Sequence, residues 1–393
     1  MNNGKNLLIK NELKKNMRQY TMIGVLLVLA IIFSILTGGT FVSSKNISNL
    51  FLQASTVAVA AVGVSLVLVA GHIDLSIGSC IGLTGAVAAT LMVNAGWGAL
   101  TTILVTLLTG VVIGCWQGFW VAFRGVPSFI VTLAGSMIFR GIVLGITQGK
   151  TIAPLADGFK AIGQGYLPSL SGGEGFNALT MVLAAIMCLA FILNETNRRR
   201  SRRRSGLDVT PAWFATTKTA VVCIAILGIM LILALNKGIS YALIIVMVLA
   251  ILFSFVSTNT AFGRHIYAIG GNIEAAKLSG INIKKKLFAL FVLMGAMTAV
   301  SGIIFTARQN AGTAAAGDGM ELDAISAAII GGTSTMGGEG SVFGALIGAL
   351  IMTFIDNGMS LMNLDNTFQY IVKGMVLLLA VWMDVATNKK SAM

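Results

Sequence analysis

Long apolar runs dominate this sequence and constrain its fold more than any other feature. Most are about 17–25 residues long, the length that an α-helix needs to cross the hydrocarbon core of a bilayer. Only 10% of the 393 residues are charged, against roughly 25% in soluble domains. The sequence therefore predicts an all-α polytopic membrane protein with ten to twelve transmembrane helices, since short or glycine-interrupted runs can be half-helices. The runs fall near residues 21–37, 50–71, 78–94, 99–122, 128–148, 178–194, 217–235, 239–257, 287–307, 322–335, 341–357 and 367–386.

Lysine and arginine are distributed unevenly among the connections, and this asymmetry predicts the orientation. If the N-terminus is cytoplasmic and the spans alternate, 20 of the 27 basic residues face the cytoplasm. Such an excess is typical of cytoplasmic loops, so we expect both termini in the cytoplasm and no nucleic-acid partner, despite the net charge of +13. The predicted layout is a cytoplasmic segment 1–20, one transmembrane domain 21–386 and a cytoplasmic tail 387–393, with an external loop 149–177, an arginine-rich cytoplasmic loop 195–216 and a second cytoplasmic loop 258–286.

The polar residues form no recognisable catalytic motif. His72 and His265 are the two histidines, too few for a histidine-based metal cluster, and no GxSxG nucleophile elbow occurs. Residues 149–151 read Gly-Lys-Thr, but a phosphate-binding loop needs glycine where Leu144 stands. We therefore predict no catalytic residues, no metal and no cofactor.

Three ionisable residues lie within apolar runs, where charge is costly and commonly functional. These are Asp74, Arg140 and Lys373. Asp74 stands almost alone as a carboxylate, close to the small residues Ser76 and Gly78. Two interpretations stay open: a broken helix that lines a translocation path with Asp74, Ser76 and Gly78, or a carboxylate that caps the following helix or marks the edge of an interface.

Residues 331–341 contain too many glycines to continue a helix. Non-helical backbone at membrane depth is tolerated only where it is buried or lines a cavity. We favour a cytoplasmic turn between two half-helices, supporting a gate, over a simple linker. Gly331, Gly332, Thr333 and Ser334 are the candidate path or gate residues.

A weak internal echo links the two halves of the chain. Residues 73–78 read Ile-Asp-Leu-Ser-Ile-Gly, and residues 321–326 read Glu-Leu-Asp-Ala-Ile-Ser. The predicted orientation puts them on opposite sides of the membrane, as in inverted-topology repeats, which place a substrate path near the midplane. Chance similarity is the alternative.

The cytoplasmic loop 258–286 contains a short helical segment that ends at a glycine. Good helix formers between glycines, held between two spans, have the right shape to dock into a groove on a partner. The spacing Glu-Ala-Ala-x-x-x-Gly resembles the coupling loop of ATP-binding-cassette (ABC) importer permeases. The candidate residues for coupling to an ATPase are Gly271, Asn272, Glu274, Ala275, Ala276 and Gly280.

Three further segments strengthen this resemblance. Together with the coupling loop they are similar to the permease family of monosaccharide ABC importers, which take up ribose, galactose and xylose. The resemblance covers about residues 45–385, and the additional material around 178–235 is most similar to the xylose branch. One departure is that no Ile-x-Leu-Pro follows Gly280. The four motifs lie in order at residues 71–79, 126–141, 261–280 and 329–341.

The resemblance implies a complex in the bacterial cell membrane. Its expected partners are a second permease copy, an ABC ATPase subunit with two nucleotide sites and an extracytoplasmic sugar-binding protein. ATP hydrolysis would take place on the ATPase, so this chain is expected to be a transport subunit and not an enzyme. Two other classes stay open, namely a secondary sugar transporter, which usually carries coupling carboxylates in the membrane, and a membrane scaffold.

Overall fold

The computed structural model describes residues 17–169, 175–207 and 209–391. Within these ranges, ten helices are long and apolar enough to cross a membrane, which confirms the all-α polytopic fold. Parts of the predicted N-terminal segment (1–16), external loop (170–174) and tail (392–393) lie outside the described residues. The helices are α1 (Met17–Leu36), α2 (Ser44–Val69), α3 (Ile77–Val93), α4 (Ala99–Gly118), α5 (Ser128–Thr147), α6 (Asp157–Gln164), α7 (Ala178–Arg204), α8 (Ala212–Ala234), α9 (Tyr241–Asn259), α10 (Ala261–Gly271), α11 (Ile273–Leu278), α12 (Ile283–Gln309), α13 (Met320–Ile330), α14 (Val342–Leu361) and α15 (Asn366–Ser391).

Many of the helix starts are set by a capping side chain. At each of these, a serine, threonine or asparagine oxygen accepts a hydrogen bond from the backbone amide three residues further on, which satisfies one of the free amides of the first turn. Local sequence therefore determines where these helices begin. The capping residues are Ser43, Asn177, Ser240, Thr260, Asn272, Asn282 and Ser341.

Helix α7 differs from the loop expected at 195–216. It runs unbroken for 27 residues to Arg204, so the arginine-rich segment is a helical extension of the span. Arginine and glutamate are good helix formers, and hydropathy detects only where the apolar stretch stops. The connection to α8 is confined to residues 205–211, of which residue 208 is not described.

Helices α2 and α12 form the centre of the bundle. Of the apolar stretch of α2, 94% is buried, and of that of α12, 67%. Gly63 of α2 faces Met294 and Met297 of α12, and Gly110 of α4 faces the backbone at Gly295. Small residues thus allow close helix crossings, where packing rather than the hydrophobic effect holds membrane helices together.

Two short helices each follow a connection that turns the chain back into the bundle. Helix α3 (17 residues) follows the non-helical segment 70–76, and α13 (11 residues) follows 310–319. Helix α3 runs parallel to α12, because Gly302 packs against Thr84 and Thr306 packs against Gly85. The segment 310–319 then runs back along α3.

Helix α14 fixes the direction of α13. Gly331 packs against Gly344, and Ala327 against Gly348, so α13 and α14 are antiparallel. Asn46, in the first turn of α2, is hydrogen-bonded to Asn357, in the last turns of α14, so α2 is antiparallel to α14 and parallel to α13. The pairs α2–α3 and α12–α13 therefore have the same order and opposite directions, which is the arrangement that the internal echo predicts.

The ends of the described chain lie on one side of the bundle. Phe33, near the end of α1, contacts Gly358, near the end of α14. Helix α15 follows α14 after a four-residue connection and returns along the outside of the bundle, with 6% of its apolar stretch buried. The start of α1 and the end of α15 are thus on the same side, in agreement with two cytoplasmic termini.

Candidate functional site

The segment 70–76 is a break between α2 and α3, held in place by hydrogen bonds from side chains. The hydroxyl of Ser128 accepts from the Ile73 amide at 3.2 Å, and that of Thr132 accepts from the Leu75 amide at 3.0 Å. Both hydroxyls belong to the first turns of α5. The backbone amides that a helix would have satisfied are thus bound by a neighbouring helix, as membrane burial requires.

Asp74 is buried within this break, with 1% of its surface exposed. One carboxylate oxygen accepts from the Ser76 amide at 2.8 Å and from the Ser76 hydroxyl at 2.7 Å. The side-chain amide of Gln117 also donates to the Ser76 hydroxyl. These contacts enclose Asp74 and hold Ser76, the residue before α3, but no described side chain bonds to the amides of the first turn of that helix.

The starts of α3 and α13 meet at Gly78. A side chain at this position would overlap the Gly317 carbonyl and the carboxylate of Glu321, so glycine is required by close approach. Two helix N-termini, each with a partial positive charge, therefore come together inside the bundle. We name this contact the half-helix junction, defined by Gly78, Gly317 and Glu321.

Arg140 of α5 stabilises the backbone beside the half-helix junction. Its guanidinium donates to the carbonyl of Ala314 at 3.1 Å and to that of Ala316 at 2.9 Å, and it lies 3.9 Å from the Asp318 carboxylate. The charge that the sequence places inside an apolar run thus has a structural partner. It holds the non-helical segment 310–319 against the bundle.

A partly buried ion triad lies one turn into α13, with 6% of the Asp323 side chain, 20% of that of Lys373 and 29% of that of Asp356 exposed. The Lys373 ammonium of α15 is 2.9 Å from a carboxylate oxygen of Asp323 and 2.9 Å from one of Asp356 in α14. The other oxygen of each aspartate is buried without a hydrogen-bond partner among the described residues. The expectation that Asp74 stands almost alone as an intramembrane carboxylate is therefore wrong. Asp356 sits at the end of its apolar run, and this position made it look like a boundary residue.

A polar cavity of about 160 Å³ opens beside the triad. It lies between the start of α13 and the first two turns of α15, and Lys373 is at its inner end. The side-chain amides of Asn366 and Gln369 and the phenol of Tyr370 suit a hydroxylated ligand. The polar lining residues are Asp318, Asn366, Gln369, Tyr370 and Lys373.

The glycine-rich segment 331–341 connects α13 to α14 and is only partly buried, with Met336 71% exposed. Gly331 packs directly against Gly344, where a larger residue would overlap backbone. Thr333 and Ser334 are buried, with 0% and 2% of their surface exposed. Gly78 contacts the start of α13, whereas the gate candidates follow the end of that helix. The gate candidates therefore do not lie beside Asp74 and Gly78.

Three other elements hold this connection, which we name the hub loop (331–341). The Gly338 amide donates to the Val69 carbonyl at the end of α2 at 2.8 Å. The amide and hydroxyl of Thr335 both donate to Asp384 of α15 at 2.9 Å. The Tyr267 hydroxyl of α10 donates to the Gly340 carbonyl at 2.9 Å, and burial raises the pKa of this phenol.

Helices α10 and α11 form the predicted coupling element at the same side of the bundle. The Asn272 side chain caps α11 by accepting from the Ala275 amide at 2.9 Å. Glu274 and Ala275 are exposed, whereas Ala276 is buried against the core, so only one of the two alanines lies on the outer face. Gly280 has a φ of +81°, which permits the sharp turn back toward α12.

The coupling element contacts the hub loop through backbone. A side chain at Gly270 would overlap the Val69 carbonyl and the Gly338 amide. Gly71, at the start of the α2–α3 break, in turn faces Gly337. The sequence-predicted residues thus form two groups, near Gly78 and near the hub loop, and the segment 70–76 connects them.

Comparison with known proteins gives consistent matches over most of the chain. A family model described as branched-chain amino acid transport system / permease component matches residues 46–381. The chain is 45% identical over 375 residues to the xylose transport system permease protein XylH of Haemophilus influenzae, covering 95% of this chain and 98% of that protein. No solved structure matches it.

Two further relatives have similar coverage. XylH of Escherichia coli K12 is 44% identical over 376 residues, or 96% of this chain and 94% of that protein. The ribose import permease protein RbsC of the same strain is 34% identical over 374 residues, covering 95% and 94%. These names confirm a transport subunit rather than an enzyme. With ten long apolar helices and two inverted half-helices among its described residues, the chain belongs to the branched-chain amino acid transport system / permease component family.

Proposed function

We propose that this chain is the permease subunit of an ABC importer that moves a xylose-like pentose, or a related hexose, into a bacterial cell by ATP-driven alternating access. The identity to permeases named for xylose exceeds that to a permease named for ribose, which favours the pentose xylose. The proposed assembly contains two copies of this chain, an ATPase with two nucleotide sites and an external sugar-binding protein.

The observation that carries this proposal is the shape of the coupling element. Helix α11 presents exposed Glu274 and Leu278, of which Leu278 is 88% exposed. An apolar residue so exposed beside a charge, in a segment outside the spans, suits a protein partner. We assign this face to the ATPase.

Movement of α11 has a direct route to the half-helices. Helix α10 contacts the hub loop through Gly270 and Tyr267, and the hub loop connects the end of α13 to the start of α14. The α2–α3 break begins at the same contact. A tilt of α10 and α11 would therefore displace both half-helices together, and the half-helix junction at Gly78 would open or close.

The sugar is proposed to contact the polar cavity between α13 and α15. A neutral polyol needs hydrogen-bonding groups rather than a counter-ion, and Asn366, Gln369 and Tyr370 provide them. A larger cavity of about 290 Å³ between α2, α9 and α14 has an almost entirely apolar lining, which does not suit a sugar.

The first experiment isolates the membrane complex in mild detergent and compares Glu274→Lys with Asp157→Lys. Both variants reverse an exposed acidic residue on a short helix, but Asp157 lies in the external segment. We expect an ATPase to copurify with the wild type and with Asp157→Lys, and to be lost with Glu274→Lys. Gly280→Trp should also abolish uptake, because the positive φ disfavours a side chain.

Two results would contradict the importer assignment or the coupling role of α11. If no ATPase copurifies with correctly folded wild-type permease, the importer assignment fails. If Glu274→Lys retains both the ATPase and normal sugar uptake, α11 has no coupling role.

One observation favours a secondary sugar transporter as the second candidate. Such transporters use intramembrane carboxylates to couple to ions, and the Asp323–Lys373–Asp356 triad supplies two. Uptake by energised vesicles without ATP separates the candidates. We expect no uptake under these conditions, and ion-driven uptake would establish the second candidate.

A further inference from the structure

The α7–α8 hairpin encloses a cavity of about 580 Å³ at the end of the hairpin that carries the arginines. Its lining follows the same helical spacing on both helices, so it lies between their facing sides. Helix α8 contributes small side chains, which leave the space unfilled, whereas α7 contributes long basic ones. The small residues are Ala212, Ala215, Thr216, Thr219 and Ala220.

The mouth of this cavity is positively charged. Of the six arginines in the run 198–204, Arg199, Arg200 and Arg203 line the cavity. The Arg199 guanidinium donates to the Thr210 carbonyl at 3.0 Å, which holds that side chain across the mouth. Among the described residues, Arg200 and Arg203 have no carboxylate within ion-pair distance, and Glu195 is the acidic residue in the lining.

The inner end of the cavity is apolar. Ile192 and Cys223 lie there, and the Cys188 thiol is 3.8 Å from the Cys223 carbonyl, where the two helices close together. Arg203 and Ile192 are separated by roughly 16 Å along the helix axis. A ligand that fills this space therefore needs an anionic end and an apolar body.

The hairpin has little contact with the rest of the bundle. In both α7 and α8, 17% of the apolar stretch is buried. Beside the mouth, Trp213 is 63% exposed and Leu207 56% exposed, and exposed tryptophan near a helix end is typical of the membrane interface. The cavity thus opens where the lipid headgroups lie.

We infer that this cavity binds an anionic phospholipid of the cytoplasmic leaflet. Arg199, Arg200 and Arg203 bind the headgroup phosphate through charge-assisted hydrogen bonds, and the apolar inner end takes the glycerol and upper acyl chain. Basic pockets between transmembrane helices on the cytoplasmic side bind such headgroups. A free phosphate or nucleotide would leave the apolar end unfilled.

The test compares two triple variants of equal charge on the same helix. Arg199→Gln/Arg200→Gln/Arg203→Gln removes the cavity arginines, and Arg198→Gln/Arg202→Gln/Arg204→Gln removes the three that do not line it. Binding of phosphatidylglycerol to the full chain is measured by native mass spectrometry, with phosphatidylcholine as the neutral comparison. We expect the first variant to lose on the order of a hundredfold in affinity and the second to change little.

Three outcomes would overturn the inference. Equal losses in the two variants would mean general attraction of a basic helix to the membrane surface. If the wild type binds phosphatidylcholine as tightly as phosphatidylglycerol, the site does not require an anionic headgroup. If it binds soluble glycerol phosphate as tightly as phosphatidylglycerol, the site does not require a lipid. If the first variant fails to fold, Arg200→Gln/Arg203→Gln keeps the Arg199–Thr210 hydrogen bond and is compared with Arg202→Gln/Arg204→Gln.

Discussion

The apolar stretches of helices α2 and α7 have the same mean hydropathy, 2.1, but opposite environments. The apolar stretch of α2 is 94% buried in protein, whereas that of α7 is 17% buried and faces outward. The difference lies in side-chain size, because residues 54–65 at the centre of α2 are all alanine, valine, glycine, serine or threonine, whereas leucine, isoleucine, methionine and phenylalanine occur throughout the apolar part of α7. In a bilayer, hydropathy identifies a span, and small residues indicate which spans are packed on every side.

The same contrast separates two kinds of polar site. Around α2, polar groups pack against neighbouring helices and lie at broken helices, as in the ion triad and the hub loop. In the α7–α8 hairpin, the charges lie at the end of a lipid-facing pair and are open to small ligands. The first region is suited to movement coupled to a partner, and the second to contact with the membrane.

The largest effect is expected from Lys373→Met in the ion triad. This change leaves the buried Asp323 and the partly exposed Asp356, each 2.9 Å from the lost ammonium, with no counter-charge. Breaking a buried ion pair in this way costs about 3–5 kcal/mol. The free energy of unfolding, measured in mild detergent, should fall by that amount and recover in Asp323→Asn/Lys373→Met/Asp356→Asn. A fall of under about 1 kcal/mol would place the triad in contact with water.

A smaller loss of stability, together with loss of sugar uptake, is expected at the half-helix junction. Gly78→Val introduces side-chain atoms where Gly317 and Glu321 already lie, and overpacking costs about 1–3 kcal/mol. Gly228→Val in α8 is the matched control, because nothing lies within 4 Å of a side chain there. Sugar uptake should be lost in the first variant and retained in the second. Equal uptake by both would remove the junction from the mechanism.

Tyr267→Phe tests the link between α10 and the hub loop. It removes the hydroxyl that donates to the Gly340 carbonyl at 2.9 Å, for an expected loss of about 1 kcal/mol in stability. If this contact transmits movement, the ratio of sugar uptake to ATP hydrolysis should fall as well. Tyr20→Phe in the peripheral helix α1 should change neither quantity. An unchanged ratio with lower stability would limit Tyr267 to a structural role.

The smallest effect is expected from Lys160→Met in the external segment. Lys160 is 2.6 Å from Asp157, whose side chain is 92% exposed, and this hydrogen bond lowers the pKa of the Asp157 carboxyl. A lowered pKa contributes stability above the normal carboxyl range and loses it as the pH falls through the folded-state pKa. Because water screens this pair, we expect no measurable change in the unfolding midpoint at pH 7. A clear fall would show that the external segment is more buried in the assembly.

The local features of the site agree with the sequence predictions. The helix break before Gly78, the short helix that ends before Gly280 and the glycine turn at 331–341 all depend on short stretches of sequence. The contacts of the same residues do not follow from the sequence. Asp74 binds Ser76 rather than facing a cavity, and Ala276 points into the core rather than toward a partner.

The sequence by itself determined the spans, their order, their caps and the side of the termini, because bilayer thickness and local hydrogen bonding act on consecutive residues. Tertiary structure decided which polar residues meet. Asp323 and Lys373 are 50 residues apart, and the arginines that line the α7–α8 cavity differ from their neighbours only in the face of α7 that they occupy. Such pairings depend on how helices pack, and neither hydropathy nor helix propensity contains that information.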